Sequence, residues 1–187
     1  QSVGEINGHY TKKENVEFIE PRFMLSEYND TFLNLKKLST GNEYLEIGIG
    51  NGEMLAVAQE FGYNVSGVEI CKDDCERISY LLNIDIKNTD IIKYDTDKKY
   101  DVIVMGDVLE HVSEPVTLIQ KAKKMLSDDG VLWLSTPNYN SSYARLQKYR
   151  YCMWFEVNHY TFVSKESMEK LLEKYDLEIV KYNMSNR

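Results

Sequence analysis

The chain contains no apolar run near the roughly 20 residues that cross a bilayer, and no signal-peptide pattern opens it. A membrane span is not expected, and the cytoplasm is the expected compartment. Three cysteines, Cys71, Cys75 and Cys152, form neither a paired framework nor a zinc-ligand spacing, so reduced thiols are expected. Positive charge is not gathered into a stripe: the net charge is −8, with acidic and basic residues interspersed. Nucleic-acid binders draw much of their affinity from cations laid along phosphates, so DNA and RNA are not expected partners. Internal repeats, low-complexity tracts and linkers are missing. Histidine is scarce, with His9, His111 and His159 making up the set.

What is present suits one globular domain. The 187 residues can enclose a sizeable core, and 43% hydrophobic with 28% charged residues is ordinary for a globular chain. From position 43 strand and helix signals alternate. Strands are expected at Tyr44–Ile49, Asn64–Ile70, Ile86–Asp90, Tyr100–Gly106, Gly130–Ser135 and Glu178–Tyr182. Helices are expected at Glu53–Phe61, Asp73–Leu82, Pro115–Leu126 and Lys165–Tyr175, the last capped by Ser164. Such alternation predicts an α/β, Rossmann-like doubly wound fold, its mostly parallel sheet covered by helices on both faces. Residues 1–40, with a helix over Phe23–Leu38, are expected to form a cap on a domain spanning 41–187.

The run Y-L-E-I-G-I-G-N-G at 44–52 carries the most information. A strand ends in Gly48, Gly50 and Gly52 and a helix follows, the place where open α/β sheets receive nucleotide-like cofactors. Glycine suits the backbone angles of such a turn and lets a ligand approach closely. The dinucleotide fingerprint would need a third glycine at position 53, where this chain has Glu53. A carboxylate there would repel a pyrophosphate, and Glu46 adds negative charge close by. A cationic ligand without phosphate fits better.

These residues resemble the first motif of the class I S-adenosylmethionine-dependent methyltransferases, (D/E)-x-G-x-G-x-G, here E-I-G-I-G-N-G at 46–52. The string G-D-V-L-E-H-V at 106–112, followed by Pro115, resembles the ubiquinone-pathway O-methyltransferase-like group; S-T-P-N at 135–138 and N-H-Y at 158–160 match that group too. The resemblance covers roughly residues 40 to 183 and implies S-adenosyl-L-methionine as cofactor, with S-adenosyl-L-homocysteine as product. It places Glu46, Gly48, Gly50, Gly52, Glu69, Ile70, Asp90, Ile91, Asp107 and Val108 at the cofactor. Glu69, about 20 residues past the glycines, can accept from both ribose hydroxyls, a device that NAD enzymes share. Asp90 and Ile91 take the adenine position. The family usually ends in a seventh, antiparallel strand, for which the sequence leaves no room before Arg187.

A hydroxyl acceptor profits from losing its proton to a placed base, and histidine titrates near neutral pH. His111 and His159 are the candidate bases. His9, with Tyr10, is the weaker candidate for an N-terminal flap. The long connection 136–163 supplies candidate acceptor contacts: Tyr139, Arg145, Trp154 and Tyr160, with Arg150 beside Arg145 as a receiver for phosphate or carboxylate. No metal is expected. The alternative is a divalent ion on Asp107, Glu110 and His111, which share one face if 107–111 is helical. The expected activity is methyl transfer to a small-molecule acceptor, at a hydroxyl oxygen, with a glycan- or lipid-linked acceptor as one option. The rivals are a dinucleotide-dependent oxidoreductase and a non-catalytic cofactor-binding module. Oligomeric state is left open.

Overall fold

The computed structural model describes residues 22–183, and the expected flap at His9 and Tyr10 lies outside them. The elements run α1 (Arg22–Leu38), β1 (Glu43–Ile47), α2 (Glu53–Glu60), β2 (Asn64–Glu69), α3 (Lys72–Leu82), β3 (Ile86–Asn88) and β4 (Tyr100–Gly106). They continue as α4 (Pro115–Met125), β5 (Leu126–Ser135), α5 (Ser142–Gln147) and α6 (Lys165–Glu173). The five strands are parallel, in the order β3-β2-β1-β4-β5. Among the described residues, no helix is long and apolar enough to cross a membrane, and Cys71, Cys75 and Cys152 are free thiols.

Strand periodicity divides the core between the two faces of the sheet. Tyr44, Val102 and Val104 join Phe32, Leu55 and Ile78 on one face. Their neighbours Leu45, Ile103 and Met105 join Leu118, Ile119, Ala122, Met168 and Leu172 on the other. Side chains alternate along a strand, so a strand with an unbroken apolar run must be covered twice, as β4 is over residues 102–105. Helices α1, α2 and α3 supply the first cover; α4 and α6 supply the second. Ser164 caps α6 as expected, its Oγ accepting from Ser167 N at 3.2 Å and Ser167 Oγ accepting from Ser164 N at 2.8 Å.

One expected strand is not formed. Residues 178–182 carry no sheet pairing, which leaves β5 as an edge of the described sheet. Leu177 and Ile179 still turn onto the second core face, so the alternation that suggested a strand is real. A period of two gives a strand only where a neighbouring edge accepts its hydrogen bonds, and this segment passes without a ladder. The connection 136–163 also holds more structure than its pattern suggested, with α5 and two 3₁₀ turns, Lys148–Arg150 and Cys152–Phe155.

Helix α1 is fastened by aromatic packing. Phe32 is fully buried, with ring centroids 5.5 Å from Phe61, 5.9 Å from Tyr44 and 6.0 Å from Tyr63. Phe32→Ala should therefore cost about 3–5 kcal/mol of unfolding free energy, measured by urea denaturation. A loss below about 1 kcal/mol would mean that α1 adds little to the core.

Candidate functional site

Strand order reverses between β1 and β4, and the crevice outside their C-terminal ends is where open α/β sheets take ligands. The turn after β1 has Gly48, Gly50 and Gly52 at φ 72°, 50° and 79°, a region that side chains disfavour. A Cβ on Gly48 would strike Val108 Cγ2 at 2.6 Å, and one on Gly52 would strike Ile78 at 2.8 Å. Among the described residues, a Cβ on Gly50 would meet nothing within 4 Å. Two glycines let the chain pack against itself; the middle one faces open space, a cradle that a side chain would fill.

Acidic groups line this turn. Glu46 is buried on β1, its Oε2 accepting from Tyr44 Oη at 3.0 Å. Burial pushes its pKa up to about 8, with the charges of Glu53 and Glu69 adding to the rise and the Tyr44 hydrogen bond opposing it. Glu53, the first residue of α2, accepts from Tyr28 Oη of α1 at 3.0 Å. Glu69, at the end of β2, accepts from Ile49 N at 3.1 Å and from Cys71 N at 2.7 Å. Burial raises its pKa, and the Cys71 amide pulls the other way. Asp90 accepts from Ile92 N at 2.9 Å in the turn after β3, and Ile91 is buried beneath it. Ile70 is exposed just past Glu69.

The other half of the crevice is built on β4. Asp107 has φ 52°, and its Oδ1 accepts from Ser135 Oγ of β5 at 2.8 Å. A 3₁₀ turn, Leu109–His111, follows. The left-handed residue and the tighter turn abolish the helical face that would have gathered Asp107, Glu110 and His111. Instead Glu110, His111 and His159 come together, with one ligand atom from each lying within 4.8 Å of the others. Asp107 is not in that group. Glu110 is buried, its Oε2 has no hydrogen-bond partner among the described residues, and burial raises its pKa. Thr136 sits close enough to oppose that rise without making a well-formed bond.

Backbone contacts bring the two histidines together. The Glu110 carbonyl accepts from Tyr160 N at 2.8 Å and Thr161 N at 3.2 Å, and Thr161 Oγ1 donates to the Val112 carbonyl at 3.2 Å. The rings of His111 and His159 then meet edge to face at 4.8 Å. His111 Nδ1 lies 3.0 Å from the Asn158 carbonyl; a carbonyl only accepts, so Nδ1 carries the hydrogen. His159 Nδ1 lies 2.6 Å from Tyr139 Oη. Burial lowers the His159 pKa and the His111 charge lowers it further, so this ring is neutral at neutral pH.

The four expected acceptor contacts part company. Tyr139 is buried, its ring 4.7 Å from Trp154 and 4.6 Å from Phe162. Trp154 shares that aromatic group and is partly exposed. Arg145 is exposed, with its guanidinium 3.4 Å from Ser142 Oγ, and Arg150 stacks on Tyr149. Tyr160 also points outward. Sequence reasoning missed Asn158, whose carbonyl orients His111, and Tyr28, which ties α1 to Glu53. The N-H-Y string at 158–160 was the signal available for the first; nothing marked the second.

A family model described as a methyltransferase domain matches residues 18–182. The chain is 32% identical over 111 residues to the ubiquinone biosynthesis O-methyltransferase of Actinobacillus pleuropneumoniae, covering 52% of this chain and 47% of that protein. It thus spans about half the length of the curated relatives it matches. A SAM-dependent methyltransferase from Archaeoglobus fulgidus superposes with a TM-score of 0.61 at 21% identity, over 83% of this chain and 74% of that one. The plantazolicin methyltransferase BpumL, solved with a desmethyl plantazolicin analogue and SAH, superposes at 0.64 and 22% identity, over 82% and 62%. The fold is that of these enzymes.

The raised pKa of Glu46 makes stability depend on pH. An acid with a higher pKa folded than unfolded holds its proton more tightly in the fold. Its stabilising share is complete below the ordinary value of 4.5 and is lost as pH climbs through about 8. The ligand-free protein should lose stability over that window, with Glu69 and Glu110 acting in the same direction. Glu46→Gln should flatten the slope and raise Tm at pH 8 by at least about 3 °C, with little change near pH 5. A parallel pH profile of Tm for the variant would contradict this electrostatic account.

Proposed function

The chain belongs to the methyltransferase domain family, and from that premise we propose that it methylates a hydroxyl oxygen of a small, ring-bearing acceptor using S-adenosylmethionine. The observation that carries this reading is one crevice with two unlike walls: an acid-lined glycine turn on β1 and a pair of imidazoles beyond β4. When bound, the cofactor supplies an electrophilic methyl group on a positively charged sulfur. Gly48, Gly50 and Gly52 give its amino-acid end close backbone approach, with Asp107 and Val108 beside them. Glu46 draws its ammonium. Glu69 accepts from the ribose hydroxyls, flanked by Ile70. Asp90 and the Ile91 amide meet the adenine. The open space over Gly50 supports this fit.

His159 is the favoured base. It is neutral where a base must be neutral, and its ring meets that of His111, which ends the turn following Asp107. It takes the acceptor's proton as the new oxygen–carbon bond forms, and His111 lies within reach to share the charge. Trp154, Phe162 and Phe155 offer exposed aromatic faces on the same connection, which supports a flat acceptor, glycan- or lipid-linked acceptors included. The free thiols support a reducing, cytoplasmic setting.

A second reading follows from the convergence of Glu110, His111 and His159. Two imidazoles and a carboxylate suit a divalent first-row ion such as Zn²⁺ better than Mg²⁺, which prefers oxygen. There it would polarise an acceptor oxygen. Calorimetry with Zn²⁺ tests it, with His159→Gln as the control that should lose the heat of binding.

Two further results are expected. S-adenosylhomocysteine at about 100 times its Kd should stabilise the fold by roughly 2.7 kcal/mol, read as a rise in Tm, while NAD(H) should not; the opposite pattern would favour an oxidoreductase. His159→Gln should lower kcat by about 10²–10⁴-fold and leave the affinity for S-adenosylhomocysteine unchanged. Binding of cofactor with no methyl transfer to any of a panel of phenols, catechols and sugars would favour a non-catalytic module.

A further inference from the structure

We propose that Tyr139 is a positioning residue whose hydroxyl holds His159 in the Nδ1–H tautomer, leaving Nε2 as the nitrogen that carries the lone pair. This deepens the reading of His159 as proton acceptor and rests on it for its catalytic meaning. The hydrogen-bond geometry is independent of that reading.

The argument is one of proton counting. Tyr139 Oη has two polar neighbours, His159 Nδ1 at 2.6 Å and the Met153 carbonyl oxygen at 3.3 Å. A phenol has one hydrogen to give, and a carbonyl can only accept. If the hydroxyl donates to Met153, its oxygen is left to accept from Nδ1–H, and the chain imidazole N–H, phenol O–H, carbonyl is complete. If it donates to Nδ1 instead, the contact at 3.3 Å is no longer a hydrogen bond, and the Met153 carbonyl must turn to the His159 ring for a hydrogen. Only the first arrangement makes both of the phenol's contacts hydrogen bonds. Burial also keeps the phenol protonated, since it pushes the Tyr139 pKa well above its ordinary value.

The hydroxyl is held where this chain needs it. Tyr139 is 8% exposed, and its ring sits among Trp154, Phe162 and Tyr151, with the last at 5.8 Å edge to face. Its backbone N donates to the Val163 carbonyl at 3.0 Å, where Asn138 and Val163 form a parallel bridge that closes the base of the 136–163 connection. A ring fixed by three aromatic neighbours and a backbone anchor has little freedom to swing its oxygen away.

The partner histidine is treated alike. His111 Nδ1 donates to the Asn158 carbonyl, so consecutive residues of one segment present an oriented carbonyl and an oriented ring. Both imidazoles then carry a hydrogen on Nδ1. Groups of this kind, one step removed from the reacting atoms, fix tautomer and ring orientation, and losing them typically costs about 10–100-fold in ligand affinity or activity. Aromatic spacing alone suggested instead that Tyr139 stacks on the acceptor.

The test is the tautomer itself. Long-range ¹H–¹⁵N correlation spectra of ¹⁵N-histidine-labelled protein, recorded with a chelator present and above the His159 pKa, should show Nδ1 protonated and Nε2 bare in the wild type. Tyr139→Phe keeps the ring and removes only the oxygen, and an unchanged Tm rise with S-adenosylhomocysteine verifies that it folds. In this variant the His159 signals should move toward the Nε2–H form that free imidazole side chains favour, while those of His111 stay put. A wild-type His159 already in the Nε2–H form would overturn the proposal, as would a spectrum unaltered by Tyr139→Phe. Full turnover by His159→Gln would instead remove the base reading and leave the tautomer result standing, so the two failures are distinguishable.

Discussion

Glu46 is sealed from water because β1 is the middle strand of a sheet covered on both faces, and that one burial sets the character of the whole crevice. A carboxyl removed from water strongly resists ionisation unless a counter-charge comes with it. Among the described residues its hydrogen-bond partner is Tyr44, a neutral group, and its charged neighbours Glu53 and Glu69 are of the same sign. The fold has therefore built a position where, without a cation, the carboxyl keeps its proton up to about pH 8. A positively charged ligand relieves that tension; a diphosphate would aggravate it. The same three carboxyl groups are tied down separately, through Tyr44 on β1, Tyr28 on α1 and the turn amides of Ile49 and Cys71, so the turn is held while no cationic side chain among the described residues is bonded to them.

The second wall depends on backbone rather than on side chains. One carbonyl, that of Glu110, takes two amides from the far end of a long connection and brings His159 beside His111. Backbone hydrogen bonds resist most substitutions, so the pairing of the imidazoles tolerates change in the residues around it better than a side-chain network would. Glu110 itself shows the cost of this arrangement. Its carbonyl is satisfied twice over while its carboxyl lies buried with one oxygen unpaired among the described residues, a condition that folded proteins retain at few places.

How far the sequence predicted this structure follows from the range of the interactions concerned. The glycine turn, the apolar β4 and the Ser164 cap were legible because each is decided within a few residues: by backbone angles, by burial on two faces, by a hydroxyl three positions from an amide. The failures were decided at longer range. Residues 178–182 alternate like a strand, yet pairing depends on what the β5 edge offers. Asp107, Glu110 and His111 would share a face in an α-helix, but Asp107 adopts φ 52° and the turn tightens to 3₁₀. His111 and His159 meet only because a loop closes between them, and no local pattern records that closure. Tyr139 was placed in the right region for the wrong reason, since an aromatic residue in a loop looks the same in sequence whether it faces a ligand or orients a neighbour.

The two walls make complementary demands on charge, and on the proposed activity this gives the crevice a direction. Before transfer, the acid-lined turn faces a cation and is stabilised by it; His159 must stay neutral, and its burial beside His111 keeps it so. After transfer, the sulfur is neutral and the imidazole wall has gained the proton. The carboxylates then lose part of the attraction that held the ligand, while the new imidazolium lies in surroundings that disfavour its charge. Both changes raise the free energy of the product state and so favour its departure, with no moving part required. What the fold contributes is placement: Glu46 and Glu69 on β1 and β2, the two imidazoles beyond β4, and the glycine turn packed against Val108 between them.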